Sequence, residues 1–210
     1  MASIYMNAIT KAAKGYKGII NDPYVYRRIV YTAINKYAKK YNIQPIVIKK
    51  IIMRESAFKF KHIGNSFKSI SEQQRIRYGL SEARVREYGL MQTYPHYSEK
   101  EGIPLGEVRK MLAYNIDASI HCGVRHLRIL FNDVARYLQS KGVTRWFDYF
   151  VFGIAAYNLG AQGVKNRLEI SGGQVNYYSS FKSINAATNG YPEKILSYPA
   201  TDSIGASGSW

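Results

Sequence analysis

Cysteine is almost absent. Cys122 is the single one in 210 residues, so the chain forms no internal disulfide. Its fold must rest on a hydrophobic core rather than on crosslinks, and it does not need an oxidising compartment. Long apolar runs are missing too: no stretch reaches the ~18–20 residues of a membrane-spanning helix. The first twenty residues, MASIYMNAITKAAKGYKGII, interrupt short apolar pieces with lysines. They contain no apolar core of ~7–15 residues, so no secretory signal is expected. Carboxylates are scarce: 14 Asp and Glu stand against 30 Lys and Arg, for a net charge of +16. The scarcity is local. Residues 1–70 hold 14 Lys and Arg against Asp22 and Glu55 alone, a net of +12, which leaves +4 for residues 71–210. A basic first third implies a polyanionic partner, and nucleic acid, anionic lipid and bacterial cell wall all fit. There is no zinc-finger spacing and no RNP-like segment, so no specific nucleic acid is expected.

Apolar residues make up 46% of the chain, enough for a real core and too many for a disordered tail. Their spacing is mostly helical. Asp22-Pro23 reads as a helix start, with a capping carboxylate before a first-turn proline. Tyr26, Ile29, Val30, Ala33, Ile34, Tyr37 and Ala38 then form one apolar stripe. A second helix is expected from near Asn42, with Pro45 in its first turn and Val47, Ile48, Ile51 and Ile52 as its stripe. Residues 59–88 read as a long basic loop with a short helix near Ser81–Arg86, and another helix starts near Pro104. The longest helix is expected from about Asn115 to Leu138, with Ile116, Ile120, Val124, Leu127, Phe131, Val134 and Leu138 on one face. Trp146–Asn158 is nearly all apolar and reads as a buried central helix, broken by Gly160 and Gly163. There are no internal repeats. The expected organisation is a basic helical segment over 1–41, a domain over 42–198 and a flexible tail over 199–210.

Glu55 is the first residue with chemistry to offer. It follows Ile48, Ile51 and Ile52 by seven, four and three positions, so a helix carries it on the apolar face near the C-terminal end. Burial and the negative end of the helix dipole both disfavour a charged carboxylate and raise its pKa, which suits a general acid. Against this, a helix ending at Arg54 would leave Glu55 an ordinary solvated acid. Cys122 and His126 lie four apart on a helix but lack a complementary ligand pair, so no metal is expected. His62, His96 and His121 suggest no site either.

Several short segments acquire meaning together. In order they are Arg54-Glu55-Ser56-Ala57-Phe58, Tyr88-Gly89-Leu90-Met91-Gln92, Asn115-Ile116, Ala155-Ala156-Tyr157-Asn158-Leu159-Gly160 and Tyr191-Pro192-Glu193-Lys194-Ile195. This series resembles the soluble lytic transglycosylase family over about residues 42–198, and goose-type lysozymes share several of its elements. The resemblance implies a mainly α, lysozyme-like helical domain with a substrate cleft and no cofactor. It implies that Glu55 is the catalytic acid/base with Ser56 supporting it, that Met91 and Gln92 line the sugar cleft, that Tyr157 and Asn158 face Glu55, and that Tyr191 contributes from the far wall. The family's usual Asn-Pro turn after the glutamate segment is replaced by Lys59-Phe60, and the stretch up to Gly89 is longer than usual. Lys59, Lys61, Lys68, Arg75 and Arg77 give that loop the charge to touch cell-wall polymer.

The implied reaction needs one carboxyl group instead of the pair most glycosidases use. Glu55 protonates the oxygen between N-acetylmuramic acid and N-acetylglucosamine, then accepts the proton of the muramic C6 hydroxyl as that oxygen attacks C1. The expected product is 1,6-anhydromuramic acid, and attack within one ring benefits from effective molarities of ~10⁵–10⁸ M. Hydrolysis of the same bond by a goose-type lysozyme needs a placed water and usually a second acid, for which the sequence spacing offers no candidate. A non-catalytic polyanion- or wall-binding protein is the alternative of another class. With no export signal in view, the expected setting is a bacteriophage particle or release to the host cell wall, with other virion proteins as partners; an exported bacterial enzyme is the alternative.

Overall fold

The computed structural model describes residues 23–59, 87–94 and 115–197, and these are mainly helical. Two compact units divide them, with the boundary between Gly123 and Val124. The expected short helix near 81–86, the helix near Pro104, the cap at Asp22 and the tail over 199–210 lie outside the described residues.

The first unit is built on α1 (Pro23–Tyr41) and α2 (Pro45–Ser56). Helix α1 buries Tyr26, Val30, Ala33, Ile34, Tyr37 and Ala38, the stripe expected from the sequence apart from half-buried Ile29. It packs against α2, which buries Val47, Ile48, Ile51 and Ile52. Helix α2 starts at Pro45, three residues later than the sequence suggested. The reason is local: Asn42 takes a left-handed conformation, φ 50°, that ends α1, and the Ile43 amide donates back to the Ala38 carbonyl at 3.0 Å. Asparagine tolerates that conformation better than most residues. Gln44 is then extended, as a residue before proline prefers, and Pro45 sits in the first turn. The start of α3 (Ile116–Ser140) is the other described helix of this unit, with Asn115 capping it by accepting from the Ala118 amide at 3.0 Å.

The second unit holds the rest of α3, α4 (Trp146–Leu159), α5 (Ala161–Lys165), the hairpin β1 (Ile170–Ser171) and β2 (Gln174–Val175), α6 (Tyr177–Thr188) and α7 (Tyr191–Ser197). Its core gathers Leu130, Val134, Leu138, Val151, Phe152, Ala155, Ala156, Val164 and Ile184. Helix α4 lies at the centre, packed by α5, α6 and α7. Gly153 is needed there, because a Cβ would come within 2.1 Å of the Phe131 ring. Two expectations for α4 need correction. Its first two residues are not buried: Trp146 is 64% and Phe147 48% exposed. Only Gly160, with φ 74°, breaks the helix. Gly163 lies inside α5, where its lack of a side chain leaves room for Leu159. The hairpin, absent from the sequence reading, pairs Ile170 with Val175 and Ser171 with Gln174 across Gly172-Gly173. Both glycines have positive φ, as a two-residue hairpin turn demands.

Candidate active site

Helix α2 does not stop at Arg54; it runs through Glu55 to Ser56. Glu55 lies in its last turn and is half-buried, so the fully solvated alternative does not apply. The chain then leaves the helix through two consecutive left-handed residues, Ala57 at φ 49° and Phe58 at φ 61°. Neither is glycine, so each conformation costs about 1–3 kcal/mol and persists only where surroundings enforce it. Here the Phe58 side chain is buried, and the hydroxyl of buried Tyr26 donates to the Phe58 carbonyl at 2.6 Å. Burial pushes the Tyr26 hydroxyl pKa up, so it stays a neutral donor. The helix carrying Glu55 is thereby ended sharply and held from below by α1.

The Gly89-Leu90-Met91-Gln92 segment is a closed turn. Tyr88 and Thr93 bridge it, with backbone bonds of 3.2 and 3.1 Å. Gly89 supplies a positive φ of 76° and Gln92 another of 47°. The Gln92 side-chain amide donates to the Gly89 carbonyl at 2.7 Å, so the turn also satisfies itself internally. Leu90 and Met91 are fully buried. Met91 lies against Gly123, where a Cβ would come within 2.4 Å of the Met91 side chain.

Two serines fasten this turn by one residue. Ser56 donates to the Leu90 carbonyl at 2.8 Å, with the Ile52 carbonyl also within 3.2 Å. Ser119, on α3, accepts from the Leu90 amide at 2.9 Å. Both serines are buried, so both polar groups of the Leu90 backbone are satisfied without water. Glu55 thus precedes the very residue that anchors the turn, and Glu55, Ser56, Met91 and Gln92 belong to one unit. Sequence reasoning missed Ser119, although a signal existed: it is a polar residue three positions after Ile116 and one before Ile120 on the buried face. It also missed Glu87, which directly precedes the turn. Burial raises the Glu87 pKa, opposed by a hydrogen bond with the Tyr94 hydroxyl.

Tyr157, Asn158 and Tyr191 lie in the second unit. Tyr157 is half-buried at the end of α4, its ring 5.8 Å from that of His126, and Asn158 is exposed. Tyr191 opens α7, is only 2% exposed, and donates its amide to Thr188 Oγ1 at 3.3 Å. His121 stacks on Tyr37 at 4.5 Å, and its Nε2 lies 2.7 Å from the Tyr41 hydroxyl. Among the described residues no group of three His, Cys, Asp or Glu is placed to hold a metal, and no helix is long and apolar enough to cross a membrane. His62, His96 and the basic residues at 61, 68, 75 and 77 lie outside the described residues.

Compared with known proteins, residues 32–179 match the family model of the transglycosylase SLT domain. No curated protein and no solved structure gives a significant match.

Proposed function

The chain belongs to the transglycosylase SLT domain family and cleaves peptidoglycan in the manner of a lytic transglycosylase; from that premise we propose that Glu55 is the single acid/base and that the product ends in 1,6-anhydromuramic acid. The observation that carries this reading is the position of Glu55. It is half-buried in the last turn of an apolar helix, one residue before the serine that fastens the Gly-Leu-Met-Gln turn. The backbone that carries this carboxyl group is thereby fixed in place, and a positioned side chain is what proton transfer requires. Protonated Glu55 donates to the glycosidic oxygen. As a carboxylate it then takes the proton of the muramic C6 hydroxyl, whose oxygen closes on C1, so no water enters.

Within this reading Ser56 and Met91, both buried, act on the sugar through the turn they position. Gln92 shapes the same turn. Tyr157 and exposed Asn158 contact the glycan, and Tyr191 contributes from inside the second unit. The test is Glu55→Gln, which keeps the shape and removes the proton. Clearing of a peptidoglycan suspension should fall by ~10²–10⁴, and wild-type products should be one water lighter than hydrolysis products. Near-normal clearing by the variant would overturn the assignment.

One observation favours a second reading, goose-type hydrolysis. Glu87 is a half-buried acid beside the Gly-Leu-Met-Gln turn, with its pKa raised by burial, and hydrolysis usually employs a second carboxyl group. Products with reducing ends would decide for it. For delivery we propose a bacteriophage particle, with the basic first third drawn to the anionic wall. Proteomics of purified particles tests this, and finding the protein only in the periplasm of uninfected cells would overturn it.

A further inference from the structure

We propose that the second unit carries an additional glycan-binding face, made of Trp146, Phe147 and Tyr178 with Arg145 and Lys182, which holds a peptidoglycan strand at a place other than the bond being cut. The proposal rests on peptidoglycan as the substrate.

Helix α4 buries Val151 through Ala156, yet its first turn exposes Trp146 by 64% and Phe147 by 48%. Tyr178, in the first turn of α6, is 79% exposed. The Phe147–Tyr177 contact brings the first turns of α4 and α6 together, and large apolar side chains left in the open there suit a binding surface. Two of these rings are also braced. Trp146 stacks on Phe150 at 5.2 Å with an 18° interplanar angle, and Phe147 stacks on Tyr177 at 6.2 Å. A ring supported on one face offers the other with little entropy left to lose on binding. The site lies at the opposite end of α4 from Tyr157 and Asn158. Trp146 and Tyr157 are eleven helical steps apart, about 17 Å at 1.5 Å per residue.

The charge completes the match. Arg145 lies over the Tyr177 ring at 5.4 Å and Lys182 over Tyr178 at 5.7 Å. Of the carboxylates bonded to this face, Asp148 is buried, accepts from the Tyr177 hydroxyl and lies 3.8 Å from Nε of the exposed Arg145, while Glu169 accepts from Ser179 Oγ at 2.5 Å. Exposed aromatic faces beside exposed cations suit a polymer with two features. Its sugar rings present apolar C–H faces, and its muramic lactyl-peptide groups end in carboxylates. A peptidoglycan strand has both. Because the strand is a polymer, a second foothold raises the local concentration of cleavable bonds without changing the chemistry.

The experiment compares wild type with the double variant Trp146→Ala, Tyr178→Ala. It measures sedimentation with purified sacculi on ice and the cleavage rate on short soluble muropeptide oligomers. Affinity for sacculi should fall about tenfold, as expected when one of two linked footholds is lost, while the rate on short oligomers stays unchanged. If the double variant melts markedly lower, Tyr178→Ala alone, at a 79% exposed ring, replaces it. Undiminished sacculus affinity overturns the proposal, as does an equal loss on short oligomers. Two other outcomes also overturn it: sacculus binding kept while binding to phosphatidylglycerol vesicles is lost, or wild-type dimerisation that the variant abolishes. A wild type that binds sacculi through these rings but cleaves nothing would keep this inference and remove the catalytic one.

Discussion

The end of α2 and the middle of α4 are both parts of the molecule that its motifs single out, yet they are held by different physics. Around Glu55 the chain is kept by polar groups and enforced backbone. Ala57 and Phe58 are left-handed, Tyr26 reaches the Phe58 carbonyl, and two serines take both polar groups of Leu90. Around Phe152 the structure is apolar volume, with Val151, Phe152, Ala155 and Ala156 sharing one core with α3, α5 and α6. Hydrogen bonds are directional and fix orientation, whereas apolar packing is roughly proportional to area and fixes little beyond proximity. A proton donor needs the former, and a scaffold is served by the latter.

The sharpest way to break this contrast is to remove volume from the second region. Phe152→Ala should cost ~3–5 kcal/mol of stability, the usual range for a buried aromatic ring. Urea denaturation measures it, and a loss below about 1 kcal/mol would mean the α4 core is loosely packed. Next in size are Ser56→Ala and Ser119→Ala. Each leaves one buried Leu90 group without its partner, at ~1–3 kcal/mol. Since both serines act on one residue, their effects should not add; a double-mutant cycle should show coupling of at least ~0.5 kcal/mol. Strict additivity would mean that the turn is held elsewhere. Activity should respond to these two variants more than to Phe152→Ala measured under conditions where each protein is folded.

What was legible in the sequence follows the same division. The stripes of α1, α2 and α3 could be read because apolar periodicity records burial directly. The start of α2 at Pro45 was misplaced because a left-handed asparagine looks like any polar residue until its backbone is seen. The exposed first two residues of α4 were read as core because composition does not distinguish a ring packed inside from one held flat on the surface. The hairpin at Ile170–Val175 was missed because two-residue strands are too short for any period. In the site, Glu55 and the Gly-Leu-Met-Gln turn were found through their motif, while Ser119 and Glu87 belong to no motif. Their roles depend on which backbone groups come to face them, and sequence spacing does not encode that.

Glu87 gives the smallest effect and the most direct test of the polar region. Its pKa is raised mainly by burial, with the Tyr94 hydroxyl pulling the other way. A carboxyl group whose folded pKa exceeds its unfolded value binds more protons in the folded state over the interval between the two. Linkage then makes stability fall as pH rises through that interval, with the full penalty present above the folded pKa. Glutamine cannot ionise, and its side-chain carbonyl still accepts from Tyr94. The Glu87→Gln protein should therefore match wild type at acidic pH below both values, then become the more stable of the two as pH rises toward neutrality. Urea midpoints measured from the acidic carboxylate range to neutral pH check this. A constant difference would mean that burial and the hydrogen bond cancel, and one that grows in favour of wild type toward neutral pH would show that Glu87 gains more from its hydrogen bond than it loses to burial. The first unit would then contain a carboxylate stabilised in its charged form beside the Gly-Leu-Met-Gln turn, a weaker base than one raised by burial, and the observation that favours the hydrolytic reading would be lost.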